Sequence, residues 1–281
     1  YHISYFVGFF MDGILLLEKL KVTNHYQIQS LPINSGVFCL KKDRFQDVVW
    51  IGTDGQGVYL YSNPLYSIKS MVLSNYTEKI ERPVRAIYLD DERTFWVGTK
   101  GNGILKIYDY EFDKNISDCR AEVLTTSNSA LSSNAVYCFA KSHRNLLWIG
   151  DEEGLTYYSY REKRIKSIPI RIGNEDFKYI HDIYETADSE LWLVSVGMGV
   201  VKARIAGTPD NPVIVDAQRY IINDGELGSN YFFTIYAENE ANLLFGNKGY
   251  GVFRYNETTN GLEPVSTHKY ENMTLNNILA I

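Results

Sequence analysis

The chain is poor in several things, and each shortage narrows what it can do. Its 281 residues include three cysteines, Cys39, Cys119 and Cys138. None forms a Cys-x-x-Cys pair and their number is odd, which fits neither a disulfide framework nor a zinc site. Basic residues are outnumbered, 28 Lys and Arg against 34 Asp and Glu. No basic stripe runs along the chain, so a phosphate-tracking surface is missing and no nucleic-acid partner is expected. Long apolar runs are also lacking. The strongest, Gly13 to Leu17, is far too short to span a bilayer, so no direct membrane insertion is expected. The five histidines, His2, His25, His143, His181 and His268, show no metal-ligand spacing, and neither a metal nor a cofactor is expected. There is no signal-peptide pattern, but the chain opens on Tyr1 and stops at Ile281 within a strand-like pattern. It reads as a piece of a longer protein.

Tyrosine and glycine are abundant, at 22 and 21 residues, and the glycines are spaced regularly. The run Trp50-Ile51-Gly52-Thr53-Asp54-Gly55-Gln56-Gly57-Val58 recurs as Trp96-Val97-Gly98-Thr99-Lys100-Gly101-Asn102-Gly103-Ile104. It returns at Trp148-Ile149-Gly150 with Gly154, at Trp192-Leu193-Val194 with Gly199, and at Leu244-Phe245-Gly246 with Gly251. Phe6-Val7-Gly8 with Gly13 is a sixth copy. About a dozen residues before each core lies a second apolar run: Val37 to Leu40, Val84 to Ile87, Val136 to Phe139, Ile180 to Ile183 and Phe232 to Ile235. One more, Ile278 to Ile281, ends the chain.

A period in the mid-forties accommodates four short strands and their turns. The runs alternate or are solidly β-branched and aromatic, which excludes helical repeats. A four-stranded sheet that is apolar on both faces cannot stand alone in water, and a radial stack of such sheets buries both faces. The sequence therefore predicts an all-β chain, a β-propeller of four-stranded antiparallel blades. Six blades are counted, with a seventh open if sequence is missing. The expected units are 276–281 with 1–34, then 35–81, 82–132, 133–177, 178–228 and 229–275. Pairing of the terminal strands, Asn276 to Ile281 with Tyr5 to Phe9, is expected to close the ring. The third residue of each innermost strand is often small (Cys39, Ala86, Cys138, Thr234, Ala280), as the crowded axis requires. That makes Cys39 and Cys138 equivalent core positions.

The core Trp-Ile-Gly-Thr followed by Gly-Val and an aromatic, as in Trp50 to Tyr59 and Trp96 to Ile107, resembles the two-component regulator propeller repeat. The lead-ins Asn128 to Val136 and Asp224 to Phe232 are similar to that family's as well. The resemblance runs the full length. Val194 in place of glycine and Leu244 in place of tryptophan depart from the pattern. It implies a periplasmic sensor region of an inner-membrane hybrid two-component system of the gut Bacteroidetes type. The resemblance further implies additional propeller and β-sandwich domains of the same chain, a partner copy in a homodimer, and a histidine kinase outside these residues. Its implied ligand is an oligosaccharide or another small molecule.

In propellers, the loops leading into the innermost strands and those joining the second and third strands share one face, and such loops carry function on a rigid scaffold. The candidate ligand-binding residues there and at the channel are Arg82, Arg85, Tyr179, His181, Asn230, Tyr231, Lys100, Asn102, Asp151, Lys248 and Tyr250. Aromatic faces stack on sugar rings, and amide and charged groups pair with hydroxyls. No catalytic residue is expected. Two other readings stay open: a protein-interaction scaffold, and a propeller lyase or glycosidase whose acids and bases would be drawn from Arg82, Arg85, His181 and Asp182. The Gly-x-Gly strings lie between two strands with no helix following, so they point to hairpins rather than to a nucleotide.

Overall fold

The computed structural model describes residues 4–9, 13–19, 26–44, 48–62, 67–71, 80–110, 119–222, 230–265 and 278. Every repeat becomes one antiparallel meander. The first contains β1 (Ser4–Phe9), β2 (Gly13–Lys19) and β3 (Tyr26–Ser30). The second contains β4 (Val37–Lys42), β5 (Val48–Thr53), β6 (Val58–Ser62) and β7 (Ser67–Met71). The third has β8 (Val84–Leu89), β9 (Phe95–Thr99), β10 (Ile104–Ile107) and β11 (Ala121–Leu124). The fourth has β12 (Val136–Lys141), β13 (Leu146–Asp151), β14 (Leu155–Ser159) and β15 (Arg164–Ile168).

A two-stranded ribbon, β16 (Arg171–Ile172) with β17 (Glu175–Asp176), leads into the fifth blade. That blade contains β18 (Ile180–Glu185), β19 (Glu190–Ser195), β20 (Gly199–Thr208) and β21 (Asn211–Tyr220). The sixth contains β22 (Phe232–Asn239), β23 (Asn242–Asn247), β24 (Gly251–Asn256) and β25 (Gly261–Pro264). In blades two to six the strands pair in sequence order, four to a sheet. The chain is a six-bladed β-propeller.

Both repeated glycines have a physical reason. Gly103 sits at φ +76°, and a Cβ there would lie 2.1 Å from the Leu124 carbonyl oxygen, so the hairpin into β10 admits only glycine. The glycine of Trp-Ile-Gly serves a different purpose. A Cβ on Gly52 would meet Cys39 Sγ at 2.4 Å and Val84 Cγ1 at 3.2 Å. Cys39 is its partner in the same blade, while Val84 opens the innermost strand of the next blade. Gly98 takes Ala86 and Val136 in the same way, and Gly150 takes Cys138 and Ile180. These glycines are the sockets through which successive blades dock. The two cysteines are indeed equivalent core positions, and burial pushes the Cys39 thiol up to about 12.

Ile278 extends the series around the ring. Its Cγ2 would lie 2.7 Å from a Cβ on Gly246, and its amide donates to the Asn247 carbonyl at 3.1 Å. It therefore sits on blade six as Val84 sits on blade two. The rest of the expected closing strand, 276–277 and 279–281, lies outside the described residues.

The recurring tryptophan also makes a hydrogen bond in blades two to four. Trp50 and Trp96 each donate Nε1–H at 2.9 Å to an aspartate beyond their own innermost strand, Asp43 and Asp90. Blade four has Ser142 there instead, and Trp148 reaches across to Glu185 of blade five at 2.7 Å. The ten-residue strands of blade five carry their hairpin back over blade four. There Arg161 pairs with Asp210 and Lys166 donates to Asn211 Oδ1 at 2.8 Å.

Candidate functional site

In all five innermost strands that are described, the register with the second strand slips at the second residue. The bulges fall between Val37 and Cys39, Val84 and Ala86, Val136 and Cys138, Ile180 and Asp182, and Phe232 and Thr234. A bulged residue is unpaired in the ladder, and the strand bends so that its side chain is re-aimed. Here the five residues so released are Phe38, Arg85, Tyr137, His181 and Phe233, and they meet around the axis with a void of about 30 Å³ among them.

The ring is held by its own contacts. The Arg85 guanidinium lies 3.5 Å from the centre of the Phe38 ring, an arrangement that favours a desolvated cation. Tyr137 and His181 stack at 4.3 Å with an interplanar angle of 12°, and Phe233 meets His181 edge-on at 5.0 Å. Burial drives the His181 imidazole down to about 3, and the Arg85 and Lys100 charges push the same way, so the ring is neutral in ordinary buffers. Burial also weakens Arg85's hold on its proton, with Asp54 and Tyr137 opposing. Its buried Nε has no hydrogen-bond acceptor among the described residues. Burial, with Glu152 adding to it, raises the Tyr137 hydroxyl to about 12.

Below the ring a channel of about 640 Å³ runs along the innermost strands to the opposite face, where Lys41, Lys141, His143 and Tyr184 line it. The larger hollow thus lies on the far side of the ring from the loops singled out in the sequence. The ring itself caps the loop face.

The predicted residues divide into four groups. Arg85 and His181 are in the ring. Arg82, Lys100, Tyr179, Tyr231 and Lys248 are exposed on the loop face, with Tyr179 held at φ +54°. Tyr250 is half-buried against the apolar core of blades five and six. The other three are committed to turns. Asn102 Oδ1 accepts from the Arg82 amide at 3.0 Å. Asn230 Oδ1 accepts from the Ile222 amide at 2.7 Å, and its carbonyl accepts from Gly197 and Gly199. Asp151 is fully buried, taking the Ser132 hydroxyl at 2.6 Å and the amides of Glu153 and Gly154. It stands where Thr53 and Thr99 close their own hairpins, so its carboxylate faces a turn rather than the loop surface.

Asp182, the acid in the hydrolase reading, is likewise spoken for. Its oxygens accept from the Ile183 amide at 2.9 Å, the Ile235 amide at 2.7 Å and the Thr234 hydroxyl at 3.2 Å. It staples blade five to blade six. The sequence reading missed Phe38, Tyr137 and Phe233. Their signal was present as the large second residue of every Val-x-small-Ile run, beside the small third residue that was noticed.

No protein-family model matches the chain. Among solved structures it is similar to the extracellular domain of a Bacteroides thetaiotaomicron protein described as a hybrid two-component system, at 21% identity and a TM-score of 0.65. That match covers 92% of this chain and 32% of the other. PorZ, a surface component of the type-IX secretion system of Porphyromonas gingivalis, is similar at 15% identity and a TM-score of 0.62, over 89% of this chain and 37% of the other. The likeness fixes the fold. The chain spans about a third of each of these proteins. Among curated proteins, translation initiation factor 6 of Saccharolobus solfataricus is 31% identical over 140 residues, which are 45% of this chain and 57% of that protein. That match spans fewer than half of the residues that form the ring of blades.

Proposed function

We propose that this propeller is a ligand-sensing domain of a membrane-bound hybrid two-component system. It would stand in the periplasm and recognise an oligosaccharide on the ring-capped face. The reading is carried by the bulge ring, in which the same backbone irregularity brings Arg85, with an unsatisfied buried donor, beside four aromatic groups. Exposed Tyr179 and Tyr231 offer faces for sugar rings near it, and Arg85 offers donors to hydroxyl oxygens. The likeness to the extracellular domain of a hybrid two-component protein supports the same reading. Neighbouring domains of the same chain and a second copy would be its partners, and kinase chemistry would lie outside these residues. Ligand binding can drive such a sensor only if two domain arrangements bind it unequally.

A panel of neutral oligosaccharides tested by calorimetry on the wild-type chain and on Arg85→Met decides the point. The reading expects at least one saturable binder that is lost in the variant while its fold is retained. No binder, or a binder indifferent to Arg85, counts against it. The likeness to PorZ favours a second reading, a docking scaffold, and the exposed Val213 and Val215 on the outer strand β21 are where a protein partner would sit.

A further inference from the structure

Away from the axis, the outer halves of blades three and four part to form a groove of about 1150 Å³. Lys106 forms part of its floor. This side chain is only 3% exposed, and its ammonium lies 4.5 Å from the Trp96 ring centre, 4.6 Å from Tyr108 and 4.4 Å from Tyr158. Its hydrogen bond to a protein group is a long one, 3.3 Å to the Tyr158 hydroxyl. Among the described residues, no carboxylate stands within ion-pair distance.

Several other charges of the groove are matched. Lys163 pairs with Glu92 at 3.0 Å, Lys166 with Glu162 at 2.5 Å, and Glu122 takes the Tyr108 hydroxyl at 2.5 Å. Asp90 is occupied by Trp96 Nε1 and the Tyr160 hydroxyl. A buried ammonium has three donors, and taking it out of water is costly unless they are met. The aromatic rings offset part of that cost through their faces. They supply no acceptor for the remaining N–H groups.

We infer that this groove is a binding site for an acidic sugar, with Lys106 receiving the carboxylate and the tyrosine rings flanking the pyranose. The exposed Ser167 hydroxyl on the groove wall supplies a partner for its hydroxyls. Burial lowers the Lys106 ammonium from its usual range, and an arriving carboxylate opposes that shift. The inference stands on blades three and four alone and does not depend on the ring-capped face being a sensor site.

The test titrates the 281-residue chain with glucuronate, galacturonate, glucose, galactose and inorganic phosphate, by calorimetry and by the fluorescence of Trp96. Lys106→Met keeps the length of the stem and removes the charge, and its folding is checked by circular dichroism and thermal melting. Saturable binding of a uronate, weakened at least tenfold in Lys106→Met and absent for the neutral hexose, is the expected result. Three results overturn the inference: no uronate binding, equal binding by the folded variant, or binding of phosphate but not of a uronate. If Lys106→Met does not fold, Lys106→Arg serves instead. It keeps the charge, so uronate binding must persist within about threefold.

Discussion

Replacing Gly52 by alanine tests the blade-docking argument, because the structure says which atom is in the way. A Cβ at this position meets Cys39 Sγ at 2.4 Å, more than 1 Å inside an ordinary carbon–sulfur contact, and then Val84 Cγ1 at 3.2 Å. Val84 is buried, and the partly buried Cys39 packs against the same core. Overpacking of a filled interior costs on the order of 1–3 kcal/mol, and this contact belongs at the upper end. Cys39→Ala alone removes the sulfur and leaves a small cavity, costing about 1 kcal/mol. Their combination removes the clash, since the next contact of the new methyl group is the valine. The double variant should therefore be more stable than the sum of the single costs by about 1–2 kcal/mol. Urea unfolding followed by tryptophan fluorescence reads all four proteins, and Trp50, two residues from the site, reports the loss of packing directly. Strict additivity, or a Gly52→Ala protein within about 0.5 kcal/mol of wild type, would falsify the socket model.

Two pH predictions have opposite signs. Burial raises Asp151 from 3.8 to about 6 in the folded chain, so its contribution to stability is full below about pH 4 and lost as pH rises through 6. Asp151→Asn should be more stable than wild type at pH 7.5, by at most about 3 kcal/mol, and the two should converge near pH 4 in urea titrations. An unchanged difference across that range would rule the mechanism out. His181 is depressed to about 3, so the unfolded chain takes up its proton first and stability falls on acidification below about pH 6.5. Its imidazole signals in NMR should stay unmoved between pH 8 and 4.5, and a midpoint near 6.5 would contradict its place in the ring. Between pH 4 and 6 the two effects oppose each other, so wild type should show a flatter profile than Asp151→Asn.

Most of the fold was legible because its constraints are local and repeated. The Gly103 hairpin, the Gly52 socket and the Trp50 anchor are each dictated by a few neighbouring atoms, and six phased copies make them visible in a single sequence. What could not be read were the departures that only a neighbouring blade explains. Ser142 in place of an aspartate looks like a weakened copy, yet Trp148 bonds to Glu185 of blade five instead. Asp182 was a candidate acid of the lyase or glycosidase reading, grouped with Arg82, Arg85 and His181. Its partners are Thr234 and Ile235, some 50 residues away in sequence, and no local pattern could have revealed them.

The site was partly legible for the same reason. Arg85 and His181 drew attention as unusual residues in apolar strands, while Phe38, Tyr137 and Phe233 passed as ordinary core. A periodic reading assigns alternate residues of a strand to opposite faces, and a bulge breaks that alternation. One slipped residue per blade turns a side chain that should face a neighbouring sheet toward the axis instead. Because the slip recurs at the same position in five blades, it is a property of the repeat and not of any one blade. The repeat therefore fixes where the ring lies and leaves its chemistry free. Arg, Tyr, His and Phe occupy the same backbone position, so an exchange at that position can change what the channel accepts while the Gly-to-Val sockets beside it hold the blades together.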